Sequence, residues 1–276
     1  MDELPKTPYV EDESMKAVFF AGGLGTRMGQ ESLANGPKPM VELGGRPLIL
    51  HLMRVFARQG VTDFVILAGY RSSAIKDFFL DFRGAVSDVK INLFTGQTDY
   101  VEQQLDEYSG WTVEIVDTGV NSSTERRLAL ARHVLEGQDF YLTYGDGLAN
   151  VNLKSLNREV NKSPERVVTL TSYRPSSRFG ILEIAPDGRV SSFREKPVMD
   201  DLINIGFMYV KKSIWDFVSG DDIQIEEGIL PRLAKNGLLG HYQHTGFWQP
   251  MDTPRELSSL NGYLTKGETP PWLRDL

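Results

Sequence analysis

The sequence predicts an α/β fold, a mixed and mostly parallel sheet with helices on both faces. Two observations predict it. Over roughly the first 150 residues, apolar runs of strand length alternate with segments whose apolar residues recur at helical spacing, the pattern of parallel strands joined by helical crossovers. Beyond Pro164 the strand-like runs follow one another with little helix between them, which adds a small antiparallel subregion. The expected architecture is therefore Rossmann-like, with one half at about residues 15–150 and another at about 151–276 of a single domain.

The elements follow in order. Residues 1–14 carry Asp2, Glu3, Glu11, Asp12 and Glu13 with two prolines and little apolar content, which reads as a flexible, solvated tail before the domain starts at Met15. "KAVFFA" is a buried strand, Leu48, Ile49, Leu52, Met53 and Phe56 lie at helical spacing, and "DFVILAG" is a second strand. A helix is expected over Ser72–Phe82, strands over Lys90–Phe94 and Thr112–Val116, and a helix through Leu128, Ala131 and Leu135. Residues 96–110 are polar and without period, so they form a long loop or an excursion. "FYLTYGDG" ends a strand in a polar turn, and "RVVTLTSY", "FGILEIA", "RVSSFREKP" and "INIGFMYVKK" are the later strands.

Bulk properties exclude several functions. Lys and Arg number 30 against 37 Asp and Glu, a net charge of −7, where a nucleic-acid-binding surface shows a basic excess. With no cysteine, disulfides, thiol catalysis and thiolate-held zinc are ruled out. No apolar run approaches the ~20 residues of a membrane span, and no basic-then-apolar leader opens the chain, so a cytoplasmic location is the expectation. His241 and His244 fall on opposite faces of a strand and do not pair on a metal; His51 and His133 sit in expected helices as structural residues.

The first strand runs into "AGGLGTR". In an open parallel sheet, ligands sit beyond the carboxyl ends of strands, and a glycine-rich turn there lets backbone N–H groups approach phosphate. The turn is not a dinucleotide fingerprint, since Gly23 and Gly25 are followed by Met28 and no third glycine. That omission argues against a nicotinamide-dependent oxidoreductase. It is not a P-loop either, because Gly25 precedes Thr26 and Arg27 instead of Lys-Ser or Lys-Thr. A guanidinium at Arg27 matches phosphate oxygens in bidentate fashion. Eleven positions later Lys38 stands between Pro37 and Pro39, whose restricted backbones give the ammonium a stiff base. Asp146, between glycines in "YGDG", suits Mg²⁺, which takes one or two protein carboxylates and fills the rest with phosphate and water; a turn aspartate bonding its own backbone is the plainer alternative. Asp252, just before Pro254, reads on its own as a helix N-cap.

"MKAVFFAGGLGTRM" followed by "PKPMVELGGRPL" resembles the opening of the sugar nucleotidyltransferases, and "VEIVDTG", "YGDG", "RFGILEI", "FREKP", "INIGF" and "GFWQPMDTPRE" resemble the glucose-1-phosphate cytidylyltransferase branch. The match runs in order from Met15 to near the C-terminus. It implies a GT-A-like nucleotidyltransferase fold and transfer of CMP from CTP to a phosphorylated acceptor, such as glucose 1-phosphate. By resemblance the nucleotide is held by Phe20, Ala21, Gly22, Gly23, Leu24, Gly25, Thr26, Arg27, Lys38, Thr118, Ser122, Arg127 and Gly145. Asp146 and Asp252 hold Mg²⁺, Glu195, Lys196, Asn204 and Gly206 hold the acceptor, and Arg27, Lys38, Asp146 and Lys196 carry the chemistry. On their own, Glu195 and Lys196 read as an exposed ion pair at a strand end, and Arg127 as a solvated residue in the first turn of a helix.

The sequence departs from the family pattern at four places. Glu125 and Arg126 replace a glycine pair, Ile205 replaces a second glycine, Gly228 replaces an acidic residue, and Lys38 is the one lysine where the family has Lys-Pro-Lys-Pro. Ile205 adds volume and Arg126 charge near the expected pocket, which opens the alternative of a non-glucose phosphorylated acceptor. A nucleotide or sugar-phosphate sensor without turnover is the rival from another class. Relatives assemble, so a homo-oligomer is expected, with the aromatic segment around Trp248, Tyr263 and Trp272 as a source of contacts.

Overall fold

The structure is a computed structural model that describes residues 15–25 and 36–276. The expected N-terminal tail and the expected site residues Thr26 and Arg27 lie outside the described residues. The chain runs β1 (Lys16–Ala21), the small β2 (Glu42–Leu43) and β3 (Arg46–Pro47), α1 (Leu48–Ala57), β4 (Asp63–Ala68), α2 (Ser72–Leu80) and α3 (Phe82–Val86). There follow β5 (Val89–Ile91), β6 (Thr98–Tyr100), β7 (Thr112–Asp117), α4 (Thr124–Leu130), α5 (Arg132–Leu135), β8 (Phe140–Tyr144), β9 (Gly147–Ala149) and α6 (Leu153–Lys162). The remainder holds β10 (Val168–Tyr173), β11 (Ile181–Ile184), β12 (Val190–Arg194), β13 (Ile203–Asn204), β14 (Met208–Val210), α7 (Ile229–Lys235), β15 (Leu239–Gln243), β16 (Trp248–Pro250) and α8 (Pro254–Leu264).

The main sheet has the order β13-β10-β14-β8-β1-β4-β7, with β15 also paired to β10. Strands β7, β4, β1 and β8 are mutually parallel, as are β10 and β15, while β14 is antiparallel to both of its neighbours. Alternation in β1 shows why this sheet is covered on both sides. Ala17, Phe19 and Ala21 point into one core with α1, Ile75 of α2, Leu156 of α6 and Leu260 of α8. Val18 and Phe20 point into the other, with Leu128, Leu135 and Leu233 of α4, α5 and α7. Every residue of β1 except Lys16 is buried, as a central parallel strand requires.

Several boundaries differ from the sequence reading. The helix expected over Ser72–Phe82 breaks at Asp81, and the one through Leu128 and Leu135 breaks at Ala131. Within residues 96–110, Thr98–Tyr100 forms the return arm of a hairpin, β5 with β6, that leaves the main sheet, and 3₁₀ turns over Glu102–Gln104 and Asp106–Tyr108 follow, so the excursion reading fits better than the loop. "INIGFMYV" is one run interrupted: Gly206 and Phe207 take φ values of 79° and 52°, splitting it into β13 and β14, both antiparallel to β10. More helix lies beyond Pro164 than the pattern suggested, in α7 and α8. The C-terminal aromatics are not a free contact surface. Trp272 is fully buried, with Tyr263 and Phe247 packed on it, and Trp248 leans on Tyr173.

Candidate active site

Because β4, β1 and β8 run parallel, their carboxyl ends open onto one edge of the sheet, and a cavity of about 270 Å³ lies there. Phe20, Ala21, Gly22, Gly23 and Gly25 from the turn after β1 form one wall, and Tyr144, Gly145 and Asp146 from the end of β8 form another. Lys38 and Pro39, Ser122, Thr124 and Arg127, Gln224 and Asp252 complete it. Gly145 must be glycine for the two strand ends to meet. A Cβ there would lie 2.8 Å from the Phe20 carbonyl and 3.0 Å from the Pro39 ring. Leu24 is not among the lining residues and is 52% exposed.

Asp146 and Asp252 converge although 106 residues separate them, because β16 pairs with β9 so that Gly147 faces Pro250. The Met251 amide donates to the Asp146 carbonyl at 2.8 Å, which closes the ladder beside both carboxylates. Asp252 is not the helix cap. Thr253 caps α8 in a box with Glu256, and the Glu256 carboxylate also accepts from the Asp252 amide at 2.8 Å. The side chain of Asp252 is therefore directed into the cavity. Lys38 is buried, in a single 3₁₀ turn over Lys38–Met40. Its Nζ donates to Asp146 Oδ2 at 3.1 Å and to Asp252 Oδ1 at 2.5 Å. Two hard carboxylate oxygens aimed at one cationic point are a donor set that suits a divalent ion. Among the described residues no group of three or more His, Asp or Glu converges to hold a metal, so the remaining ligands of such an ion would come from substrate and water.

Arg127 is buried, not solvated. Its guanidinium donates to the Gly22 carbonyl at 3.0 Å, to Gly119 at 2.8 Å, to Ala68 and Val120 at 3.3 Å each, and to Thr118 Oγ1 at 2.6 Å. It thus staples the glycine turn after β1 to the ends of β4 and β7. Burial holds its pKa below the usual arginine value, without removing the charge. Gly22 and Gly69 make the slot, since a Cβ at either would come within 2.2 Å of the guanidinium. Thr118 is buried behind this staple and does not line the cavity. Ser122 does line it, its hydroxyl donating to the Thr118 carbonyl.

The expected acceptor residues divide. Asn204 reaches the cavity wall, its Nδ2 donating to the Tyr144 hydroxyl at 3.4 Å while its Oδ1 accepts from the Gly206 amide at 3.0 Å. Tyr144 in turn donates to Glu226, and burial first, then this carboxylate, raises the phenol pKa far above its ordinary value. Gly206 brings the turn against β8, where a Cβ would meet Thr143 and Tyr144 at 2.9 Å. Glu195 and Lys196 do not line the cavity. They form an exposed ion pair of 3.3 Å after β12, although Lys196 holds a left-handed φ of 45°, rare for a long side chain.

The departures that cast doubt on the acceptor also resolve structurally. Ile205 is buried in the core with Phe207, and Arg126 turns away to the Gly220 carbonyl at 2.9 Å; neither lines the cavity. Glu125 is fully buried, accepting from the Ser219 amide at 3.0 Å and from Arg232 at 3.2 Å. Its Oε2 lies 2.3 Å from where a Cβ at Gly228 would stand, so Glu125 and Gly228 require one another. Pro39, Thr124, Tyr144 and Gln224 line the cavity without having been singled out from sequence. Tyr144 was within reach of the "YGDG" motif; Gln224, in a turn with no motif, was not.

Comparisons with known proteins agree on one relationship. The description "Nucleotidyl transferase" fits residues 16–253. A glucose-1-phosphate cytidylyltransferase of Salmonella typhimurium is 39% identical over 258 residues, 93% of this chain and 98% of that protein. A probable glucose-1-phosphate cytidylyltransferase of Bacillus subtilis is 35% identical over 92% of this chain and 98% of its own length. The crystal structure of a UDP-glucose pyrophosphorylase complexed with UDP-glucose superposes with a TM-score of 0.65 at 16% identity, covering 92% of this chain and 99% of that one. That likeness is one of fold, and it accords with the mixed, mostly parallel sheet expected from sequence.

Proposed function

The chain belongs to the nucleotidyl transferase family, and from that premise we propose that it transfers CMP from CTP to a sugar 1-phosphate, glucose 1-phosphate foremost, releasing pyrophosphate. The observation that carries the reading is the convergence of the glycine turn, Lys38, Asp146 and Asp252 on one cavity. The base and the acceptor rest on the two cytidylyltransferases that this chain resembles over nearly its full length.

The nucleophile is a phosphate monoester oxygen of the acceptor, attacking the α-phosphorus in line while the bond to the β-phosphate oxygen breaks. Its second pKa is ~6, so it is ionised at neutral pH and no general base is required. The protein's work is to bring two anions together and to offset the charge that spreads in the transition state. The glycine turn after β1 lines the cavity in which the phosphates would lie, and Arg127 holds that turn in place. Lys38 neutralises phosphate charge, together with Arg27 by family resemblance. Asp146 and Asp252 would hold Mg²⁺, which would supply positive charge to offset that of the phosphates. Tyr144, on the wall, and Asn204, bonded to its hydroxyl, would meet the acceptor. By family resemblance Lys196 steers the acceptor phosphate, although it stands outside the cavity lining in an exposed pair with Glu195.

Pyrophosphate release measured across the four nucleoside triphosphates and a panel of phosphorylated acceptors tests the whole reading. CTP with glucose 1-phosphate should give the highest kcat/KM. Binding of CTP with no release in the presence of any acceptor would instead mark a sensor. Lys196→Ala should raise the acceptor KM and leave CTP affinity within about twofold by calorimetry; collapse of CTP affinity would reverse the assignment of Lys196.

A further inference from the structure

Lys38 does not point at the glycine turn, where a phosphate-binding lysine is wanted. It sits between the two carboxylates, 3.1 Å from Asp146 and 2.5 Å from Asp252. We propose that Lys38 is a competing internal cation, which holds the Asp146–Asp252 pair against free divalent ions and gives it up when a triphosphate arrives with its metal. The proposal rests on the metal reading above and deepens it.

Three features carry it. First, the trio has a formal charge of one positive against two negative, so the ammonium already offsets half of what a divalent ion would neutralise. An ion entering alone must break an ion pair with a buried lysine, and it gains only two protein ligands in return. Second, a divalent ion and an ammonium repel each other and cannot share the point between the carboxylates. Lys38 must therefore leave, and it is buried, with 10% of its side chain exposed, so its charge needs a new anion nearby. A triphosphate in the same cavity supplies one. Third, the prolines on either side, within the 3₁₀ turn, restrict the backbone, so the ammonium moves by rotation of its own four-carbon stem. Its arc has the aspartates at one end and, across the cavity that Lys38, Gly22, Gly23 and Gly25 line together, the place of the phosphates at the other. Metal and nucleotide then each raise the other's affinity by the same factor, and loading of the site by metal alone is suppressed.

The test is Mn²⁺ binding to the full chain without nucleotide, read by electron paramagnetic resonance of the free ion, in the wild type and in Lys38→Met. Met conserves the length of the buried stem and removes the charge. Affinity for Mn²⁺ should rise at least tenfold in Lys38→Met, and Mg²⁺ alone should raise the Tm of the variant but not of the wild type. In the wild type, adding α,β-methylene CTP should strengthen Mn²⁺ binding at least tenfold; in Lys38→Met that gain should shrink. Should Lys38→Met fail to fold, Lys38→Gln repeats the comparison. Equal Mn²⁺ affinity of wild type and variant without nucleotide would overturn the proposal. If the tightened site persists in Lys38→Met/Asp252→Asn, the ion is not between the aspartates, and the metal assignment falls with the proposal. The metal-only comparison needs no nucleotide. A wrong choice of base, seen as a CTP analogue that does not bind, is therefore distinguishable from a wrong role for Lys38.

Discussion

Gly22→Ala places a methyl carbon 2.1 Å from the Arg127 guanidinium, well inside contact distance, and that group cannot simply swing aside. It is buried and makes five hydrogen bonds, three of them at 3.0 Å or shorter. Hydrogen bonds to a charged group contribute ~1.5–3 kcal/mol each when measured singly, and less when they share one donor group. Counting the three short ones at the low end gives a loss of about 3–5 kcal/mol if the guanidinium is driven out, which for a chain of this size shifts Tm on the order of 10 °C. Arg127→Ala should cost a similar amount, since it removes the same bonds without the clash. The two effects should not add, because on the Arg127→Ala background the methyl meets open space and should cost under about 1 kcal/mol. Thermal melts of the four proteins, with CTP titrations on each, measure the coupling. A Gly22→Ala protein that melts within about 2 °C of wild type, or a strictly additive cycle, would refute the view that Arg127 acts by stapling the glycine turn.

Three further outcomes are expected. Asp146→Asn should lower kcat by at least about 10³-fold at any Mg²⁺ concentration, the equivalent of several kcal/mol of lost charge stabilisation. Its Tm should change by only a few degrees, because the side chain is 45% exposed and exposed ion pairs contribute under about 1 kcal/mol. Gly228→Ala forces a methyl onto the buried Glu125 carboxylate and should destabilise by about 1–3 kcal/mol; adding Glu125→Ala to it should cost at least about 1 kcal/mol less than Glu125→Ala alone, as urea titration would show. His51 is buried against the Leu43 carbonyl and Trp272, and burial lowers its pKa from 6.5 to about 4. Its neutral form is favoured in the fold, so the unfolded chain takes up the proton first; the stability is complete above pH 6.5 and is lost as pH falls toward about 4. At ~1.36 kcal/mol per unit the loss is about 3 kcal/mol. In His51→Gln the fall in stability between those pH values should be smaller by that amount in calorimetric melts.

What the sequence disclosed follows from how local its signals are. The parallel half was legible because β1, β4 and β8 are short apolar runs buried on both faces, and the glycine turn after β1 has few physical uses. Asp146 and Asp252 were legible as a pair only through resemblance, since the ladder between β9 and β16 joins positions with no pattern linking them. The burial of Arg127 was not legible because two of its five acceptors, the Gly22 and Ala68 carbonyls, come from turns distant in sequence, and no rule of helix position anticipates them. Ile205 was placed near the pocket for the same reason: whether residue 205 faces core or cavity is decided by the left-handed backbone at Gly206 and Phe207, which the run "INIGFMYV" conceals. Gln224 carries no signal at all. It reaches the cavity because Glu125, Ser123 and Thr124 bind the 219–225 turn to the start of α4.

The pairing of β16 with β9 also sets a timetable for synthesis. A ribosome would have delivered the glycine turn after β1 and all eight main-sheet strands before residue 252 left the exit tunnel. Until that late strand pairs with Gly147–Ala149, a nascent chain holds one of the two carboxylates proposed to bind the metal. On the proposed reading competence is thereby deferred to the last stage of assembly, and a polypeptide cut short ahead of Trp248 would also lack Met251, Leu260, Trp272 and Leu273 from the core beneath β1.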